Sequence, residues 1–111
     1  MIIDKSNKRR AALYARFSSD NQREESIEAQ LIAMHKYCEE NGYEVVAEYC
    51  DRAKSATTSN RPEFLRMIDD SKEHMFDMVL VHKLDRFSRD RYDTIFYQRE
   101  LKLRNIKLIS V

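Results

Sequence analysis

The sequence predicts a doubly wound α/β domain, with a mainly parallel sheet of about four strands flanked by helices. Three observations point there. Short apolar runs alternate with amphipathic helical stretches along the whole chain. The run Asp77-Met78-Val79-Leu80-Val81-His82 is almost continuously apolar inside, as a parallel strand covered on both faces must be. A length of 111 residues suits one domain with a single modest core.

The elements follow in order. Ala11-Ala12-Leu13-Tyr14-Ala15 is a buried strand that ends at Arg16, and Ser19-Asp20-Asn21 supplies turn chemistry. A helix starts from about Ser26, an N-cap residue with Glu28 in the first turn, where negative charge is favourable. Ile27, Leu31, Met34 and Cys38 recur at helical spacing, with Ala33 and Tyr37 widening the face, and Asn41-Gly42 stops the helix. Residues 43–50 alternate as a strand, and residues 51–61 are polar, small and aperiodic, which predicts a mobile loop. Asn60-Arg61-Pro62-Glu63 reads as a helix start in which Asn60 caps and Glu63 reaches back; Phe64, Leu65, Met67 and Ile68 form its buried side. After the strand at 77–82, a charged segment precedes a helix carrying Tyr92, Ile95, Phe96, Leu101 and Leu103. Asn105 ends that helix, and residues 106–111 form the fourth strand. The chain stops inside or just after this strand, so the domain is expected to be C-terminally truncated, a piece of a longer protein.

Composition excludes some functions. Twenty basic and 19 acidic residues leave a formal charge of +1, so any nucleic-acid contact must use local clusters rather than bulk charge. Three clusters stand out: Lys8-Arg9-Arg10; Lys83 with Arg86, Arg89 and Arg91; and Lys102 with Arg104 and Lys107. One glycine and one proline leave no Gly-rich phosphate cradle and no flexible linker. Cys38 and Cys50 lack disulfide-framework or metal-ligand spacing and read as small core residues in a reducing compartment. Neither a signal peptide nor an apolar stretch of membrane-span length is present, which predicts a cytoplasmic protein with no membrane partner. His82 reads as a hydrogen-bonded strand-end residue, and His35 and His74 as exposed helical ones.

In open α/β sheets function collects beyond the carboxyl ends of strands. Residues 16–22, 51–61 and 83–89 occupy that position. Together they offer Arg16, Arg61, Arg86 and Arg89 to one anion, with the Ser18 hydroxyl beside it. Guanidiniums grip phosphate oxygens in fixed, bidentate geometry and stay charged at ordinary pH, so they suit a serine attacking a phosphodiester. Each part also has a plainer reading. Ser18 is structural or exposed; Gln22 holds its loop or positions the phosphate. Arg61 decorates a helix start, and Arg89 makes a surface ion pair. Asp85 orients Arg86 or takes part in proton transfer, and Asp51 braces the arginines or the loop rather than transferring a proton. Arginine itself is a poor general base, its pKa being about 12 or higher.

Tyr14-Ala15-Arg16-Phe17-Ser18-Ser19 and Lys83-Leu84-Asp85-Arg86-Phe87-Ser88-Arg89 resemble two signatures of the serine recombinases, the resolvase/invertase family. The loops are most similar to those of the large branch, which includes phage integrases and conjugative-transposon recombinases. The resemblance implies that Ser18 is the nucleophile, Arg16 its nearest phosphate ligand and Gln22 the polar residue following the motif. Ser26-Ile27-Glu28-Ala29-Gln30 resembles the start of the family's first helix, which implies that Gln30 supports the site. Asp51 matches the carboxylate after strand two, Ser55 the serine of a mobile-loop Ser-Gly pair, and Arg61-Pro62 the Arg-Pro of the next helix. Asp85, Arg86 and Arg89 match active-site positions. Ala56 departs from the family's glycine and implies a stiffer loop.

The implied activity is site-specific DNA cleavage and rejoining through a 5′-phosphoseryl intermediate, for recombination or integration, with no metal or other cofactor. The implied partner is DNA, and the parent protein is expected to be a dimer that assembles into a synaptic tetramer. Residues 1–111 would be its N-terminal catalytic domain, without the long oligomerisation helix and the DNA-binding domains, and in isolation monomeric and inactive. The competing function is a phosphate- or nucleotide-binding, receiver-like signalling module that performs no DNA chemistry.

Overall fold

A computed structural model of the chain describes residues 9–18, 26–53, 61–82 and 91–111, with backbone alone at 18, 53 and 91–94. Among these residues strands and helices alternate: β1 Arg10–Ser18, α1 Ile27–Asn41, β2 Glu44–Ala53, α2 Pro62–Ser71, β3 Met78–Val81, α3 Arg91–Leu103 and β4 Lys107–Ser110. The strands form one sheet in the order β2-β1-β3-β4, and every pairing is parallel. The predicted doubly wound α/β class is the one observed.

Strand alternation divides the core between the two faces of the sheet. Ala11, Leu13 and Ala15 of β1 pack with Ile27, Met34 and Cys38 of α1, and with Met78 and Leu80 of β3. The intervening Ala12 and Tyr14 turn to the other face and join Tyr49, Phe64, Met67, Ile68, Val79, Val81 and Leu101. All four residues of β3 are buried, which explains why that strand has no polar alternation.

Local signals account for α1. The Ser26 hydroxyl accepts from the Ala29 N–H at 3.1 Å, and Gly42 closes the helix at φ 72°. The next helix starts differently from its prediction. Asn60 lies outside the described residues, and among these Glu63 pairs with Arg66 at 2.7 Å. The donors at the start of α2 are met by a carboxylate from β2, described below.

Several expectations need correction. β1 and β2 run further than their apolar cores, to Ser18 and Ala53, so Asp51 belongs to a strand rather than a loop. They persist because the parallel ladder pairs the backbones whatever the side chains, with Arg16 opposite Asp51. Leu65, Ile95, Phe96 and Leu103 are exposed; Ser71 of α2 and Leu101 of α3 turn inward. His74 sits after α2 in a left-handed turn at φ 54° instead of within a helix. His35 is exposed on α1 as expected and pairs with Glu48 of β2. Asn105, at φ 60°, ends α3 as its side chain permits.

Two of the basic clusters are partly committed within the domain. Arg10 clamps Asp77 ahead of β3 at 3.3 Å, and Arg104 bonds Glu100 at 3.1 Å and the Ser71 hydroxyl at 3.2 Å. Burial pushes the thiols of Cys38 and Cys50 upward, so both favour the unreactive protonated form, although Cys50 is only half-buried. No described helix is long and apolar enough to cross a membrane.

Candidate active site

The sheet order places the switch in winding direction between β1 and β3. The chain steps from β1 outward to β2 and then returns to the far side of β1 for β3. Helices therefore cover opposite faces on either side of this point, which in open α/β sheets is where ligands bind, beyond the carboxyl ends of the strands. Pairing between these strands ends at Tyr14 and Val81, whereas β1 continues with β2 to Ser18. The last part of β1 thus has one strand neighbour among the described residues.

Gln30 stands in for the missing neighbour. Its side-chain oxygen accepts from the Arg16 N–H at 3.2 Å, and its amide nitrogen donates to the Arg16 carbonyl at 2.9 Å. A fully buried amide can present a donor and an acceptor at once, as a strand edge does. Gln30 therefore fixes the backbone two residues before Ser18. Arg16 itself is only 6% exposed, and Ser18 ends the strand opposite Ala53.

On the other face Asp51 organises three segments. Its carboxylate accepts from the Tyr14 hydroxyl at 2.8 Å and from the backbone N–H groups of Glu63 and Phe64, each at 3.0 Å. The last two are donors of the first turn of α2, which otherwise lack intrahelical partners. A carboxylate there also meets the positive end of the helix. Asp51 thereby ties β1, β2 and the start of α2 into one unit.

Arg61 precedes α2, and its guanidinium carbon lies 4.0 Å from the centre of the Phe64 ring. Arg61 and Arg16 both bear on the Tyr14 phenol, each favouring its ionisation. Burial, and then the Asp51 charge and hydrogen bond, outweigh them and hold the phenol well above its ordinary range. Tyr14 therefore stays protonated at physiological pH and donates a hydrogen bond to Asp51.

Of the residues singled out from sequence, Arg16, Gln30, Asp51 and Arg61 are gathered at this end of the sheet. Gln22, Ser55, Asp85, Arg86 and Arg89 lie outside the described residues, and of Ser18 the backbone alone is described. His82 follows β3 half-buried. Among the described residues no group of three or more His, Cys, Asp or Glu side chains converges as metal ligands would. Neither Tyr14 nor Phe64 stands out as a site residue in the sequence: Tyr14 lies inside the first motif, and Phe64 falls on the buried side of α2. An inward-facing phenol on a buried strand was the available signal, since such a hydroxyl must find a partner.

Residues 11–111 match the family model "Resolvase, N terminal domain". A provisionally named DNA recombinase of Bacillus subtilis (strain 168) is 31% identical over 102 residues, which is 90% of this chain and 20% of that protein. The chain thus spans about a fifth of the length of this relative. Among solved structures, a resolvase family site-specific recombinase from Streptococcus pneumoniae is 35% identical with a TM-score of 0.82, over 94% of this chain and 72% of that one. The N-terminal catalytic domain of TP901-1 integrase is also 35% identical, with a TM-score of 0.79, over 91% of this chain and 75% of that one.

Proposed function

Because the chain belongs to the resolvase family of serine recombinases, on its large-recombinase side, we propose that it is the catalytic domain of a protein that cuts and rejoins DNA through Ser18. The observation that carries this reading is the convergence of Arg16, Gln30, Asp51 and Arg61 on the carboxyl end of β1, the strand that Ser18 terminates. A phosphodiester there would meet guanidiniums held at the end of the strand whose last residue is Ser18.

The chemistry is a pair of transesterifications. The Ser18 hydroxyl oxygen attacks phosphorus, a new Ser–O–P bond forms, and the bond to the 3′ oxygen breaks to leave a 3′-hydroxyl. The hydroxyl proton of Ser18 leaves as its oxygen bonds, and the departing 3′ oxygen gains one. After exchange of strands the 3′-hydroxyl attacks the phosphoserine and restores a phosphodiester and the free serine. The ester link is conserved throughout, so no nucleotide triphosphate is consumed. Arg16 and Arg61, with Arg86 and Arg89, carry the charge that builds on the phosphoryl oxygens. Gln30 sets the backbone that carries Arg16 and leads to Ser18, and Asp51 holds the start of α2, which Arg61 precedes. Asp85 is assigned to orient Arg86 or to move the proton; Gln22 and Ser55 to position the phosphate and its loop. DNA is the substrate, and the working form is a dimer that pairs into a synaptic tetramer.

The test is trapping on nicked DNA that cannot religate. Full-length protein should leave a 5′ DNA end on Ser18, located by mass spectrometry, and Ser18→Ala should leave none while still binding DNA. A released 5′-phosphate with no protein adduct would instead identify a hydrolytic nuclease.

A further inference from the structure

Arg61 stands one residue outside α2, with φ −132° and ψ 70°. A long side chain at such a junction has many rotamers, yet a guanidinium grips a phosphate in few orientations. Something must narrow the choice. Its guanidinium lies 4.0 Å from the centre of the Phe64 ring, where the electron-rich face attracts a cation. The ring is itself immobilised. Phe64 is fully buried, with the Tyr14 ring 5.3 Å away at 68° and the Tyr97 ring 4.9 Å away at 83°. Asp51 holds the Phe64 N–H and the Tyr14 hydroxyl together. One ring thus receives support from β1, β2 and α3 and presents its face to Arg61.

We propose that Phe64 is a positioning residue for DNA cleavage, an aromatic shelf that presets the Arg61 guanidinium for the scissile phosphate. This rests on the reading that Arg61 binds that phosphate. The alternative role for Phe64 is core filling alone. The two differ in one respect. A core lesion would slow cleavage whatever stands at position 61, whereas loss of a shelf has no consequence once Arg61 is gone.

The experiment combines adduct formation by full-length protein on nicked DNA, at saturating DNA, with NMR of the Arg61 δ-methylene protons in this chain. Phe64→Leu should form the Ser18 adduct about tenfold more slowly, and Phe64→Tyr, whose ring serves equally, should stay within about twofold of the parent. On an Arg61→Ala background Phe64→Leu should slow the adduct no further. The Arg61 δ-protons should be shifted upfield by the ring in the parent and in Phe64→Tyr. Equal slowing on both backgrounds, or unshifted Arg61 protons in the parent, would overturn the proposal. If the parent forms no Ser18 adduct, the recombinase reading fails and with it a role in cleavage, and the NMR result still decides whether the ring holds Arg61. Should Phe64→Leu not fold, Tyr97→Leu removes a lateral support of the ring instead and must show the same dependence on Arg61.

Discussion

Asp51 is the residue on which the described part of the site turns. The N-cap position of α2 is held by Arg61, whose cationic head cannot accept from helix N–H groups, and a carboxylate from the neighbouring strand serves in its place. Asp51→Ala would strand the Tyr14 hydroxyl and two backbone donors, and should cost about 2–3 kcal/mol in urea unfolding. Tyr14→Phe removes one of the three bonds while Asp51 keeps both helix donors, and should cost about 1 kcal/mol. Equal losses would mean that the phenol, and not the helix start, is what Asp51 stabilises. The sequence suggested that Asp51 braces the arginines or the loop; the donors on its carboxylate are instead the Tyr14 hydroxyl and two N–H groups of α2. Gln30 was visible only through resemblance to a family, because an amide imitating a strand edge fourteen residues away has no local pattern. Tyr14 reaches Asp51 across 37 residues and was silent for the same reason.

Elements were legible where their signals are local. Ser26 and Gly42 bound α1 because a cap and a left-handed glycine act within one turn. The conformation at Gly42 carries its own prediction. A Cβ there would meet no atom within 4 Å, so Gly42→Ala should cost only the left-handed strain, about 1 kcal/mol, and leave α1 packed as before. A larger loss, with changed near-ultraviolet circular dichroism, would show that the turn is crowded. Helix faces were harder to read. Ile95, Phe96 and Leu103 share α3 with Leu101, and hydrophobicity alone does not say which of them meets the sheet. The junction of β1 and β3 rests on Arg10, whose side-chain hydrogen bonds to Asp77 draw that carboxyl below its usual range. The folded pKa is the lower one, so the stabilisation is complete above the unfolded value of about 3.9 and disappears as pH falls through the folded value. Asp77→Asn should therefore lower stability slightly at pH 7, and the difference should close as acid protonates the carboxyl in the folded state, below its unfolded value. The Asp77 side chain is 43% exposed, so salt should shrink the effect further. A gap that persists in acid would assign the effect to geometry rather than charge.

At the scale of the molecule, alternation of strand and helix revealed the class but not the order β2-β1-β3-β4, since nothing local tells a chain on which side of β1 to return. That order makes β1, with β3 beside it, a central strand shared by a core on each face, Ala11, Leu13 and Ala15 against α1, and Ala12 and Tyr14 against α2 and α3. A shared central strand should couple the faces into one cooperative unit, and at 111 residues a single unfolding transition follows. Small lesions on opposite faces should nevertheless leave each other's contacts intact, because the sheet lies between them. Cys38→Ala on the α1 face and Ile68→Val on the α2 face should each cost about 1 kcal/mol, and the double variant their sum within about 0.5 kcal/mol. Far- and near-ultraviolet signals should move together in all three variants. Separate midpoints would mean that the faces fold independently, so the fixed end of β1 could not transmit order from Gln30 on one face to Asp51 on the other. A single midpoint with a sum well short of additive would mean that β1 relays strain between them, and Ser18, at its end, would feel lesions on both.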